Sequence, residues 1–212
     1  MVSNADIRFV QISASLNPLL GGPHRVVLGV TAKLQKVFNS SVIIFGTLNV
    51  PQPTFLENQT FLNNRYGFVF GRPSKKVTLL LNQADVILIH GFYLASTLYA
   101  LYYSRNAKIF LMPHGSLETY QEKRSKFRKM LFKIMFNYLL RERKIHFLLG
   151  SQSEISSVEK IFSNASITVV GLGVDSDFFF PKVKQFRKDY VTLACVSRIA
   201  EKKRIDVCIK AI

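Results

Sequence analysis

The feature that most constrains this chain is a repeated alternation of short apolar runs with segments of helical periodicity. The apolar runs are rich in β-branched residues, which is typical of strands buried on both faces of a sheet. We predict strands at residues 7–13, 41–46, 85–90, 108–113, 146–151 and 167–171. Strands that alternate with helices are joined by crossovers, so the predicted fold class is α/β, a doubly wound parallel sheet.

Helices are predicted between these strands, at residues 26–38, 75–83, 93–104, 120–141 and 154–162, with a loop at 47–66. The stretch between Asp85 and Arg105 carries no charge and could be mistaken for a membrane span. It is interrupted at His90-Gly91, however, so we expect a buried strand, a turn and a buried helix.

The alternation lapses after residue 173, which predicts a domain boundary. We assign residues 1–173 to a Rossmann-like domain, 174–189 to a linker and 190–212 to the first strand and helix of a second, truncated domain. The strand is predicted at residues 190–197, and the helix is predicted to begin near Lys203. A lone strand and helix cannot bury two faces of a sheet, so this second unit is expected to be incomplete.

Charge is the unusual part of the composition. Lys and Arg number 29 against 13 Asp and Glu, which gives a formal net charge of +16. Such an excess implies an anionic partner: nucleic acid, a phospholipid surface or a phosphorylated substrate. The two cysteines, Cys195 and Cys208, suggest no disulfide framework, and a reducing cytoplasm is expected.

One predicted helix concentrates this charge. The segment from Lys123 to Lys144 holds nine Lys or Arg and one Glu. We expect its basic flank to contact an anionic membrane while its apolar face packs inward. That apolar face is predicted to consist of Phe127, Met130, Leu131, Ile134, Met135, Tyr138 and Leu139.

Several candidate site residues follow the predicted strands. His90 ends one buried strand, and His114 with Gly115 follows the next, where parallel α/β sheets bind ligands. Gly21 and Gly22 precede the first helix, where backbone N–H groups favour an anion. These patterns leave simple structural roles open, a tight turn for the glycines and a buried polar group for the histidines.

Two further groups carry charge near the end of the chain. Arg198 follows the predicted strand of the second domain, and Lys203 opens its helix, an arrangement that suits a diphosphate. The alternative is a solvated basic turn. Asp175 and Asp177 could hold a divalent metal, but the scattered carboxylates and histidines predict no metal site.

Six segments, taken in chain order, resemble the group 1 glycosyltransferases, a retaining family of the GT-B fold. They are GGPHRVVLGVTAKL, DVILIHG, PHGSLETYQEKRSKFRKMLF, FLLGSQSEISSVEKIF, VVGLGVDSDFFFP and CVSRIAEKKRIDVCIKAI. The first resembles the family's glycine-rich loop and first helix, and the last resembles the start of its donor-binding domain. The resemblance implies that the chain is the N-terminal, acceptor-side half of such an enzyme with a truncated donor-binding half.

The resemblance also implies an activity: transfer of a sugar from a nucleotide sugar to an acceptor hydroxyl, with no metal or other cofactor. His90 would be the catalytic residue, and His114 and Gly115 would line the acceptor side of the cleft. Donor phosphates would be bound by Gly21, Gly22, Arg198 and Lys203. A further pair, Ser151 and Glu154, is expected to cap a helix as a capping box.

The sequence also departs from the family pattern. Leu172 precedes Gly173 where the family usually has Asn, and Arg204 follows Lys203 where it usually has Gly. The paired glutamates of the donor domain would fall beyond residue 212. We therefore expect the 212-residue chain to be inactive unless another polypeptide supplies that half.

The expected partners are a nucleotide sugar, a saccharide or lipid-linked acceptor of surface polysaccharide synthesis, and an anionic membrane. The alternative function is a non-catalytic half-domain that binds acceptor or membrane. A nucleic-acid partner is not expected, because no helix-turn-helix, RNA-recognition or zinc pattern accompanies the charge. The expected location is cytoplasmic, and peripheral contact with the cytoplasmic face of the membrane is left open.

Overall fold

The computed structural model describes residues 7–16, 22–44, 60–61, 75–104, 106–118, 125–141, 143–173, 193–197, 199 and 203–211. Within these ranges, seven parallel strands form one sheet in the order β3-β2-β1-β4-β5-β6-β7. The strands are β1 (Arg8–Ser13), β2 (Asn39–Ile44), β3 (Thr60–Phe61), β4 (Val86–His90), β5 (Lys108–Met112), β6 (Ile145–Leu149) and β7 (Ser166–Val169).

The strand order reverses at β1. The chain first moves outward through β2 to β3, and then returns to place β4 on the other side of β1. This order, with parallel strands throughout, makes the fold Rossmann-like, and ligands bind such sheets where the order reverses. The predicted α/β class is confirmed. The structure adds β3, an edge strand of two residues inside the region predicted to be a loop.

Helices cover both faces of the sheet. They are α1 (Pro23–Leu34), α2 (Lys75–Gln83), α3 (Ala95–Tyr103), α4 (Lys126–Leu140) and α5 (Ile155–Glu159), the last preceded by a 3-10 turn at Gln152–Glu154. Successive strand residues point to opposite faces. On β1, Gln11 contacts α1 on one face, while Ile12 joins Leu81 of α2 in the core on the other.

The main core contains an aromatic cluster around Phe92, whose side chain is fully buried. Its ring centroid lies 5.2 Å from that of Phe132 and 4.7 Å from that of Phe136, both of α4, and 5.6 Å from that of Phe162. All three pairs are edge-to-face, an arrangement that the charge distribution of aromatic rings favours. Phe132 and Phe136 therefore fix which side of α4 faces the core.

This packing corrects the prediction for the basic helix. The predicted apolar face does not pack inward, because the core takes Phe132 and Phe136 instead and Leu139 is only partly buried against it. Apolar periodicity is ambiguous in a helix that is apolar on two sides. The exposed side chains are Phe127 (74%), Met130 (54%), Leu131 (51%), Ile134 (59%), Met135 (46%) and Tyr138 (70%).

The chain divides into two compact units, Met1–Leu172 and Gly173–Ile212. In the second unit, a short helix α6 (Ile205–Lys210) forms close to the predicted position. The strand predicted at 190–197 is wrong over residues 193–197, which are irregular; a lone strand has no neighbour to pair with among the described residues of this unit. The predicted linker lies outside the described residues, and the identity of the second unit stays a prediction.

No helix in the described part of the chain is both long enough and apolar enough to cross a bilayer. The uncharged stretch between Asp85 and Arg105 forms β4 and α3 instead, with the turn at Gly91 between them. Burial in the core accounts for its apolar character, since Ile87, Ile89 and Leu101 are almost fully buried.

Candidate functional site

Two histidines lie at the carboxyl edge of the sheet, beside the point where the strand order reverses. His90 is the last residue of β4, which pairs with β1 on one side and β5 on the other. His114 comes just after β5, with Pro113 between them. Because the carboxyl ends of parallel strands meet at one edge, two residues distant in sequence come together here.

A glycine with positive φ follows each histidine. Gly91 has φ 96° and Gly115 has φ 71°, conformations that glycine adopts without steric cost. The Gly91 N–H donates to the Met112 carbonyl at 2.8 Å, which ties the end of β4 to the end of β5. His114 itself has φ 53°, which is uncommon for a residue with a side chain and is typical of functional loops.

The two imidazole rings bond directly to one another. His90 Nδ1 lies 3.0 Å from His114 Nε2, and the ring planes differ by only 12°. The His90 side chain is almost completely buried, with 3% of its surface exposed, whereas His114 is half-buried. Of the two, His114 is thus the ring that a ligand at this edge would meet first.

Two buried polar residues hold His90 from behind. His90 Nε2 lies 3.1 Å from Gln11 Oε1, and the Gln11 amide donates to Thr31 Oγ1 at 2.8 Å. Thr31 in turn donates to the Val27 carbonyl at 2.6 Å. Neither Gln11 nor Thr31 was predicted as a site residue. The available signal was a polar Gln at the centre of a strand otherwise expected to be buried.

Burial keeps both histidines neutral. The pKa of His90 is lowered from 6.5 to about 3, by burial first and by charge repulsion from His114 second. Burial lowers the pKa of His114 from 6.5 to about 4. A buried imidazolium loses its hydration, and two adjacent ones repel. The pair therefore presents hydrogen-bonding groups rather than positive charge.

Glu154 holds the loop that carries His114. Its Oε2 accepts from the Gly115 N–H at 3.0 Å, and its Oε1 accepts from the Gly150 N–H at 3.1 Å. The carboxylate thus joins the ends of β5 and β6. This corrects the predicted capping box, because Glu154 does not bond the Ser151 N–H and the Ser151 hydroxyl contacts Ser153 at 2.8 Å instead. Satisfying two loop amides with one carboxylate explains the difference.

The predicted phosphate-binding residues are placed only in part. Gly22 is exposed and directly precedes Pro23 at the start of α1, and the position where a Cβ would lie is open space. Gly21 and Arg198 lie outside the described residues. Lys203 is exposed in the second unit. Its proximity to the histidine pair, like that of Arg198, stays a prediction.

Metal binding finds no support among the residues described. These contain no group of three or more His, Cys, Asp or Glu side chains able to hold an ion. Asp175 and Asp177 fall in the range 174–192, outside the described residues.

Comparison with known proteins adds no assignment: no family model matches the chain, and no curated protein matches it. Among the described residues, the features that bear on function are the histidine pair, the residues behind it and the exposed surface of α4.

Proposed function

We propose that the chain carries the acceptor-side domain of a glycosyltransferase that moves a sugar from a nucleotide sugar to an acceptor hydroxyl, without a metal. The observation that carries this proposal is the position of the His90–His114 pair, at the carboxyl edge beside the strand reversal. Ligands bind such sheets at that place. Neutral imidazoles exchange hydrogen bonds with hydroxyl groups, which suits a sugar or an alcohol acceptor.

The donor diphosphate needs positive or N–H groups, and the neutral histidines do not supply positive charge. The start of α1 supports this part of the proposal, because Gly22 leaves room for close approach and helix N-termini attract anions. By the sequence resemblance, Gly21 would share this role, and Arg198 and Lys203 would neutralise the leaving diphosphate, whose charge grows in the transition state. The six segments that resemble group 1 glycosyltransferases support the same roles.

The direct test is transfer of sugar by the full chain. The purified chain is incubated with UDP- and GDP-sugars and vesicles that carry an isoprenyl-diphosphate saccharide, alone and with a separately expressed donor-binding half from a group 1 enzyme. Mass spectrometry follows the product. We expect transfer in the complemented reaction, and a loss of at least about tenfold when His114 is replaced by Ala, the cost of about one hydrogen bond.

The control for that variant is His146→Ala. His146 is a histidine of β6, and its ring contacts Ser166 and Thr168 of β7. These two strands lie at the end of the strand order, three and four strands away from β1. We expect it to leave transfer unchanged. If no nucleotide sugar is bound or consumed, with or without the donor half, the transferase proposal is wrong.

We further propose that α4 rests on an anionic membrane, which would bring the protein to a lipid-linked acceptor. The exposed apolar residues Phe127, Leu131, Ile134 and Tyr138 recur at spacings of four, three and four, so they form one stripe. The helix from Lys126 to Leu140 contains four Lys or Arg and no Asp or Glu. An exposed apolar stripe between basic flanks is the pattern of helices that lie in a bilayer interface.

Vesicle sedimentation tests this surface. The chain should bind phosphatidylglycerol vesicles more tightly than phosphatidylcholine vesicles, and salt should weaken the binding. Replacing Phe127 and Ile134 by Ser should reduce binding by at least about tenfold, because the variant lacks two apolar side chains that would be transferred from water into the membrane on binding. The control is Leu79→Ser on α2, since Leu79 is 55% exposed and so matches the exposure of the stripe. Equal binding by both variants would contradict the proposal.

The exposed stripe also favours a second function, a non-catalytic half-domain that holds acceptor or membrane. This alternative predicts vesicle binding with no sugar transfer, even when the donor half is supplied. The two functions are therefore separated by the complemented transfer reaction.

A further inference from the structure

The hydrogen bonds behind His90 determine where its protons lie. Thr31 has a single hydroxyl hydrogen, and it donates this hydrogen to the Val27 carbonyl at 2.6 Å. Thr31 Oγ1 must therefore accept a hydrogen bond from Gln11, which can donate only through its amide NH2 group. The Gln11 carbonyl oxygen is consequently the atom that faces His90.

The orientation of the Gln11 amide determines which nitrogen is protonated in each of the two histidine rings. Because Gln11 Oε1 can only accept, His90 Nε2 carries a hydrogen and donates it. A neutral His90 then has a bare Nδ1, which accepts from His114 Nε2. His114, also neutral, is left with its hydrogen on Nε2 and a lone pair on Nδ1. The hydrogen bond between Gln11 and His90 thus fixes the tautomer of His114.

His114 Nδ1 is the one ring nitrogen of the pair that these contacts do not use, since no further bond of His114 occurs in the described part of the chain. The ring is half-buried at the carboxyl edge of the sheet. Its low basicity makes it accept a hydrogen bond at neutral pH without removing the proton. An acceptor of this kind complements an alcohol O–H.

We propose that His114 Nδ1 is a fixed hydrogen-bond acceptor for a hydroxyl group of the ligand, and that Gln11 and Thr31 are positioning residues that hold it in this state through His90. The ligand class, a sugar hydroxyl, rests on the proposed function. The tautomer does not, because it follows from contacts within the protein alone.

The tautomer is measured first, in the free protein. Long-range proton–nitrogen NMR of histidine-labelled chain separates protonated ring nitrogens from bare ones, and single His→Gln variants assign the four histidines. We expect His114 to show a bare Nδ1 and a protonated Nε2. Gln11→Leu removes the acceptor for His90, so His114 should shift toward a mixture of tautomers, whereas Gln83→Leu, at the exposed end of α2, should leave it unchanged.

Two results would overturn the positioning roles: a protonated Nδ1 on His114 in the unmodified chain, or an unchanged His114 spectrum in Gln11→Leu. Because Gln11 is buried, Gln11→Glu serves as a second variant that retains the size of the side chain and an acceptor for His90. Burial favours its neutral carboxyl, which donates to Thr31 and accepts from His90 as the amide does. The His114 tautomer should therefore be that of the unmodified chain, and a changed tautomer would overturn the positioning role.

The ligand half is tested with methyl glycosides of glucose, galactose, mannose and N-acetylglucosamine. At least one should shift the His114 Nδ1 signal more than the Nε2 signal, and His114→Phe should weaken its binding by about tenfold, with partial recovery in His114→Asn, which returns an acceptor. A panel that leaves Nδ1 unmoved overturns the hydroxyl-acceptor assignment. If sugar transfer occurs but His114 has the other tautomer, this inference alone is wrong. If the spectra are as expected but no transfer occurs in the complemented reaction, the glycosyltransferase proposal alone is wrong.

Discussion

His90 ends β4, and His114 follows the neighbouring strand β5 by two residues. Although the two lie 24 residues apart in the chain, His90 Nδ1 and His114 Nε2 are hydrogen-bonded at 3.0 Å. The contact exists because β4 and β5 are parallel and in register, so that His90 pairs with Met112, close to the start of the loop that carries His114. The buried partner of the pair is held by Gln11, and the loop of the outer partner is held by Glu154. His90 is thus held by a residue of β1, and the His114 loop is held by a residue of the turn that follows β6.

The stability of the fold should fall with acid because of this pair. The folded pKa values, about 3 for His90 and about 4 for His114, lie below the ordinary 6.5, so the unfolded chain binds protons first as pH falls. Stability is fully present above about pH 6.5 and decreases below it, by about 1.4 kcal/mol per pH unit for each histidine. Urea unfolding at about pH 7.5 and about pH 5 should give a difference of the order of 2 to 4 kcal/mol.

A variant isolates this contribution from the carboxylates. His114→Gln keeps a donor toward His90 but removes one titrating ring, so it should flatten the pH dependence by about half. An identical slope in both proteins would show that the histidines do not cause it.

Gly91 should resist substitution because of its backbone conformation. At φ 96° an added side chain is strained, and its Cβ would overlap the Leu94 Cδ1 atom. Gly91→Ala should lower the free energy of unfolding by about 1 to 3 kcal/mol. Gly29, inside α1 with open space around it, is the control, and Gly29→Ala should raise stability by about 0.5 to 1 kcal/mol. The urea midpoints of the two variants should move in opposite directions.

The two sides of α4 should differ in their effect on stability. Phe136 is fully buried against Phe92, so Phe136→Ala should cost about 3 to 5 kcal/mol of unfolding free energy. Phe127 is 74% exposed, and Phe127→Ala should stay within about 0.5 kcal/mol of the unmodified chain. Chemical denaturation in the absence of lipid measures both. A large loss from Phe127→Ala would mean that the other face of the helix packs on the core.

Glu154 should be required for the loop after β5. In Glu154→Gln, an amide NH2 faces one of the two N–H groups that the carboxylate now accepts from, and the expected cost is about 1 to 3 kcal/mol. Glu159→Gln, in the exposed part of α5, changes the same charge without this contact and should cost less than about 0.5 kcal/mol. Equal losses in urea titrations would point to charge rather than to the two hydrogen bonds.

Much of the sheet was predictable because its strands are buried on both faces and therefore read as continuous apolar runs. The strand at Lys108–Met112 is an example. The helix at Lys75–Gln83 was predictable for a different reason, its helical periodicity, and its predicted bounds match the structure. The edge strand Thr60–Phe61 was not predictable, because two residues are too few to show the side-chain pattern of a strand. The strand predicted at 190–197 was wrong over its described part, because an apolar run forms a strand only where a neighbour offers hydrogen bonds.

The sequence by itself determined the alternation of strands and helices, and with it the parallel sheet that places His90 and His114 at one edge. Only the tertiary structure decided which side of α4 is buried, because both sides are apolar and the choice depends on the fit of Phe132 and Phe136 against Phe92. It likewise decided that Gln11 orients His90, since a hydrogen bond between residues 79 positions apart has no local pattern. The periodicity of apolar residues along the chain indicates which positions are buried, whereas the partner of a buried polar group depends on contacts between residues distant in sequence.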